Sequence, residues 1–130
     1  MSNISNLNKM HNLKELKIWN KAIDLTVDVY KATASFPADE RFGLTSQSRR
    51  SAVSIPSNIA EGQARHTTGE FIQFVSHAEG SVAELNTQLI LATELHFCST
   101  NDVGLCFELV ENLRRMLNGL RRKLEKRCLD

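Results

Sequence analysis

Four histidines, three cysteines and fifteen acidic residues are the side chains in this sequence able to ligate a metal or move a proton, and their spacing supports neither role. A di-iron site inside a helical bundle needs Glu-x-x-His on two helices, and that pattern occurs nowhere in the chain. His77-Ala78-Glu79 has the form of the first half of a zinc deaminase signature, yet no Pro-Cys-x-x-Cys follows to complete the ligand set. Cys98, Cys106 and Cys128 are an odd number in no metal-ligand spacing, and none has a sequence neighbour that would activate a thiol. Walker loops and dinucleotide fingerprints are absent. The sequence therefore predicts no catalytic residue, no metal and no cofactor, and assigns His11, His66, His77 and His96 to surfaces or helix ends.

Charge offers a different chemistry. The net charge of +1 conceals an uneven distribution: residues 66–113 contain no Lys or Arg but hold Glu70, Glu79, Glu84, Glu94, Asp102, Glu108 and Glu111. The next stretch reverses the balance, with Arg114, Arg115, Arg121, Arg122, Lys123, Lys126 and Arg127 against Glu125 alone. Cations at this density can neutralise phosphates and release counterions, which drives association with RNA or DNA. The plainer reading is that they oppose a helix macrodipole and keep the protein in solution, but seven exceed that need. No helix-turn-helix, zinc finger or RNA-reading motif accompanies them, and the few aromatics fall mostly on core stripes, so the expected contact is with the backbone of the nucleic acid.

Four helices must position these charges. Phe71, Val75, Ala78, Val82, Leu85, Leu89 and Ala92 alternate steps of four and three, a seam of the coiled-coil kind. Cys106, Val110, Leu113, Leu117, Leu120 and Leu124 repeat those steps, and Ile18, Ala22, Leu25 and Val29 form a first stripe. The second segment, from about Leu44 to Gln63, is weaker, with Ala52, Ile55 and Ile59 as its apolar points. Ser35-Phe36-Pro37 is expected to end the first helix, Gly62 and Gly69 to bracket the turn between the second and third, and Thr100-Asn101-Asp102 to cap the fourth. Short loops favour antiparallel neighbours, so the expected fold is a single all-α domain, an up-down-up-down four-helix bundle over residues 1–130 with 1–12 as a flexible extension. That topology would gather Lys14, Lys17, Lys21 and Arg65 with the cations of the last helix at one pole, and Glu94, Asp102, Glu108 and Glu111 at the other.

Pro56 breaks the pattern of the second helix. It removes the hydrogen bond to the Ala52 carbonyl, a loss of about 3 kcal/mol in a helix interior, and predicts a kink whose freed oxygen is satisfied by a neighbouring helix or water. Ser54, Asn58 and Glu61 surround it, and Ser81 and Glu84 on the third helix are candidate partners in a polar network or subunit interface. Basic amphipathic helices can also lie on anionic lipid, but the apolar stripe of the fourth helix is needed for the core. With no run of about 20 apolar residues and a polar start, the sequence predicts a cytoplasmic protein and no membrane contact.

The run Arg49-Arg50-Ser51-Ala52-Val53-Ser54-Ile55-Pro56-Ser57-Asn58-Ile59-Ala60-Glu61-Gly62, followed by Ala78-Glu79-Gly80-Ser81-Val82-Ala83-Glu84-Leu85, resembles the bacterial four helix bundle protein family, also called 23S rRNA intervening-sequence proteins. The resemblance extends from Leu16-Ile18-Trp19 to the last helix. It implies a four-helix bundle assembled as a homopentameric ring. Some members are encoded within sequences that interrupt large-subunit ribosomal RNA genes, and a related branch serves as the accessory protein of diversity-generating retroelements, binding nucleic acid and a reverse transcriptase. Arg49 and Arg50 fall inside the matching motif and join the candidate nucleic-acid contacts. A protein-protein scaffold or accessory subunit with no nucleic-acid contact is the alternative function.

Overall fold

The computed structural model describes residues 13–129, with the side chains of Leu13 and Lys14 outside that description. The expected extension over residues 1–12 lies outside the described residues. Four helices follow one another: α1 (Leu13–Thr33), α2 (Leu44–Gln63), α3 (Thr68–Glu94) and α4 (Thr100–Leu129), with a short 3-10 turn at Ala38–Glu40 between the first two. No strand occurs among the described residues. The chain is an all-α four-helix bundle in which α1 packs on α2 and α4, and α3 packs on α2 and α4.

The seams of alternating threes and fours explain the core. Ile18, Ala22, Leu25 and Val29 of α1 are fully buried, as are Ala52, Ile55 and Ile59 of α2. They meet Val75, Ala78, Val82, Leu85 and Leu89 of α3 and Cys106, Val110, Leu113, Leu117, Leu120 and Leu124 of α4 in one continuous cluster. Each fully buried Leu or Ile in it is worth about 1.5–3 kcal/mol over an exposed one. A smaller cluster of Phe36, Leu44 and Ala92, with Phe97 and Cys98 against it, closes one end.

Polar contacts between α1 and α2 run in opposite order along the two helices. Glu15 accepts from Gln63, the Thr26 hydroxyl lies near the Ala52 carbonyl, and Arg49 donates to Thr33. Ser54 bonds Ser81 while Gly62 lies against Phe71 and Phe74, so α2 and α3 show the same reversal. Together with Glu79 on Arg121, these contacts bring the start of α1, the end of α2, the first half of α3 and the end of α4 to one end of the bundle.

The helix ends follow the sequence expectation except at the start of α4. α1 stops at Thr33, just before Ser35-Phe36-Pro37. Gly62 in the last turn of α2 and Gly69 in the first turn of α3 bracket the turn between them, and a Cβ at Gly62 would come within 2.7 Å of the Phe71 ring. The value of Gly62 is close helix approach. Ser99, one residue before the expected caps, starts α4: its hydroxyl accepts from the Asp102 N–H at 3.2 Å while its own N–H donates to the Asp102 carboxylate at 2.9 Å, a reciprocal capping box. The Asp102 carboxyl is held below its usual range, first by the Ser99 N–H that donates to it. At the end of α3, His96 takes φ 62. The His96 and Phe97 N–H groups bond the carbonyls of Thr93 and Ala92, a Schellman closure with a histidine where glycine is favoured.

Candidate nucleic-acid interface

The second helix resolves the proline problem through its neighbour. α2 runs from Leu44 to Gln63 with Pro56 buried inside it. The Ala52 oxygen that proline leaves without its usual donor lies 3.1 Å from the Thr26 hydroxyl on α1, which is also 2.8 Å from the Ala22 carbonyl. One hydroxyl hydrogen is thus shared between the two helices' carbonyls. The surrounding short side chains also turn to backbone: Ser54 to Ser51, Ser57 to Val53 and Asn58 to Ser54.

The expected polar network is reached only in part. Ser54 and Ser81 meet across α2 and α3. Asn58 instead bonds the Ser54 carbonyl of its own helix, and Glu61 pairs with Arg65 one turn on. Glu84 is exposed beside Ser54, Ser81, Arg50 and Gln88 along a polar groove. The Gln88 Oε1 in that groove and the Ser48 hydroxyl on α2 are buried without a hydrogen-bond partner among the described residues.

The cations divide into three groups. Arg114 and Arg115 share Glu111, at 2.6 and 3.9 Å, near the middle of α4. The hydrogen bond from Arg114 holds the Glu111 carboxyl below its ordinary range and raises the guanidinium. Arg121 bridges Glu79 of α3 at 2.7 Å and Glu125 at 3.2 Å, and its own pKa is raised chiefly by the bond to Glu79. Arg122, Lys123, Lys126 and Arg127 stand on the last two turns, all exposed and with no ion pair among the described residues. Three of the seven cations expected to face a polyanion thus already have carboxylate partners, since helical spacing and the packing of α3 deliver them.

Arg49 and Arg50 do not join that group. Arg49 lies at the other end of the bundle, donating to the Thr33 hydroxyl at 2.8 Å and the Tyr30 carbonyl at 3.2 Å, with its guanidinium 4.5 Å from the Tyr30 ring centre. Ser35 of the loop after α1 and Asp102 of α4 line one groove, so this end holds the start of α4. Twenty residues of helix at 1.5 Å rise then separate the levels of Asp102 and Arg122 by about 30 Å. The candidate contacts form two sites, because α2 begins where α1 ends.

Sequence reasoning missed a feature beside Arg49. Phe42 is 87% exposed, Tyr30 is 43% exposed, and both line a groove with Arg41, Arg49 and Arg50. These two are exceptions to the expectation that the aromatics fall mostly on core stripes, which Trp19, Phe71 and Phe107 follow. The available signal was Arg41-Phe42 in the loop before Gly43, an aromatic outside any helical stripe.

The family model described as 23S rRNA-intervening sequence protein matches residues 14–119, most of the chain. The chain belongs to this family. The match ends at Gly119, so the free cations of α4 lie beyond it, whereas Arg49, Arg50, Pro56 and the Ser54–Ser81 contact lie within. No curated protein matches the sequence. Among the described residues of this 23S rRNA-intervening sequence family member, no helix is long and apolar enough to cross a membrane, and no three His, Cys, Asp or Glu side chains are grouped to hold a metal ion.

Proposed function

We propose that this chain is a cytoplasmic, non-catalytic bundle that binds the phosphate backbone of RNA or DNA through the end of α4. The observation that carries the reading is the set Arg122, Lys123, Lys126 and Arg127, grouped on two turns with no acidic partner among the described residues. Lys17 is exposed at the same end of the bundle and extends the charge. Phosphate contact of this kind is salt-dependent and insensitive to sequence.

The family resemblance supports a homo-oligomer, with a pentamer favoured. Val27 and Leu105 are about half exposed along a groove between α1 and α4, and Ile90, Leu91 and Leu95 are similarly exposed at the end of α3, apolar surface suited to another copy. A ring would repeat the cationic end and gain affinity through multivalency.

The test is titration of labelled duplex and single-stranded oligonucleotides at several salt concentrations. Four phosphate contacts per site predict a slope of roughly −3 to −4 in log affinity against log salt for duplex DNA. Replacing Arg122, Lys123, Lys126 and Arg127 by Ala should abolish duplex binding while the helical spectrum is retained. Unchanged affinity in that variant, or no binding at low salt, would leave the scaffold alternative. Solution mass tests the assembly, and a monomer at micromolar concentration would overturn the ring.

A further inference from the structure

We infer that the groove between the end of α1 and the start of α2 is a nucleotide-binding subsite, in which a base stacks on Phe42 and its phosphate is held by Arg41 and Arg50. The groove has a volume of 780 Å³, within the range of about 300–1,000 Å³ usual for small-molecule sites. It shares the nucleic-acid reading given above but rests on different residues, about 30 Å from the end of α4.

Two kinds of chemistry converge there. Phe42 is 87% exposed in the loop before α2. Tyr30, with 43% of its surface exposed, is braced by the Arg49 guanidinium, which is itself fixed by the Thr33 hydroxyl. Tyr30 is therefore held in place by Arg49, which also lines the groove. Arg41 sits 5.4 Å from the Phe42 ring centre, and Arg50 lines the groove without an ion pair among the described residues.

No Asp or Glu lines the groove among the described residues. The nearest acid in sequence, Glu40, is engaged elsewhere, since its carboxylate accepts the Leu44 N–H at 2.9 Å and caps the start of α2. The two free guanidiniums thus face an open space rimmed by aromatic rings and by hydroxyls of the first turns of α2. A planar ring next to a phosphate is the ligand that matches this pairing, because every base offers a π-face and arginine suits phosphate. A purely anionic ligand would make no use of Phe42, and a purely apolar one would strand the guanidiniums.

The source of the nucleotide unit is either a free nucleotide or a residue of a single strand. The experiment measures fluorescence anisotropy of the full chain with a labelled oligoadenylate RNA, with the same strand in duplex, and with adenosine monophosphate as competitor. Phe42→Ala is expected to weaken single-strand binding about tenfold, the scale of one base stack, and to leave the duplex unaffected. Phe42→Tyr should retain affinity, and Arg41→Ala with Arg50→Ala should lose it. Displacement of the strand by adenosine monophosphate would identify a free nucleotide as a ligand, and resistance to it would identify the strand; with dependence on Phe42, both support the subsite. Unchanged single-strand affinity in Phe42→Ala would overturn it, as would equal losses on strand and duplex. A change confined to solution mass would also overturn it, because Phe42 would then face a second copy. Alanine substitution at the end of α4 acts on duplex binding, so failure of that reading is seen separately.

Discussion

The Nε of Arg121 on α4 donates to the Glu79 carboxylate on α3 at 2.7 Å, joining positions far apart in sequence. Both side chains are under one third exposed, and Arg121 also reaches Asn118 and Glu125 along its own helix. The most structured arginine of the basic segment is thereby committed to holding two helices together. What remains for an external polyanion is the group beyond it.

Glu79→Gln should therefore act in two directions. Stability is expected to fall by about 1 kcal/mol, the scale of a partly exposed charge-assisted bond, as read by urea denaturation. Freed of its partner, Arg121 becomes one further phosphate contact, so duplex affinity at low salt should rise a few-fold and the salt slope should steepen by about one. A fall in affinity would show that Arg121 serves binding from within its present ion pair.

Thr26→Val removes the hydroxyl beside the Ala52 carbonyl without changing shape. Leaving that oxygen without its outside donor should destabilise the bundle by about 1–2 kcal/mol. Pro56→Ala restores an N–H able to reach Ala52, so the valine substitution should cost measurably less in that background. A double-mutant cycle by denaturation reads the difference, and strict additivity would disprove the link.

Glycine substitutions separate packing from propensity. In Gly62→Ala the new methyl meets Phe71 at 2.7 Å and Phe74 at 3.1 Å, so overpacking is expected to destabilise by about 1–3 kcal/mol. Gly119 has open space where its Cβ would stand, so Gly119→Ala should stabilise by about 0.5–1 kcal/mol. Thermal unfolding of the two variants should move in opposite directions.

Cys106 gives an alkaline signature. Burial first, then the charge of Asp28, pushes its thiol from 9.0 up to about 11. A raised thiol favours the neutral form in the folded state: below pH 9 both states hold the proton, and above it only the unfolded thiol ionises. Unfolding then releases a proton, so the stability contribution is lost as pH rises from 9 to 11, by roughly 2–3 kcal/mol at about 1.4 kcal/mol per pH unit. Cys106→Ala should lower stability at neutral pH through its cavity, and its difference from the parent protein should shrink across that window.

The apolar seams made most of the fold legible. Stripes such as Ile18, Ala22, Leu25 and Val29 need only the helical repeat, and all four are buried. The span of α2 was also legible, since Leu44 and Gln63 are its observed ends. Contacts between distant positions were less so: nothing in the order of residues says that Glu79 faces Arg121, because the rotation of α3 against α4 follows from packing of the whole seam. Counting charges overstated the basic surface for that reason. The Phe42 groove was hidden by a different cause, a loop whose three-dimensional course sets an aromatic beside arginines contributed by the next helix.

The shared hydroxyl of Thr26 also bears on how this protein opens. A helix that supplies all its own hydrogen bonds can detach from its neighbours with its ladder intact, but α2 depends on α1 for one carbonyl at its centre. Separating the two helices would strand that oxygen, so the central amides of α1 and α2 should exchange with solvent deuterium as one cooperative unit.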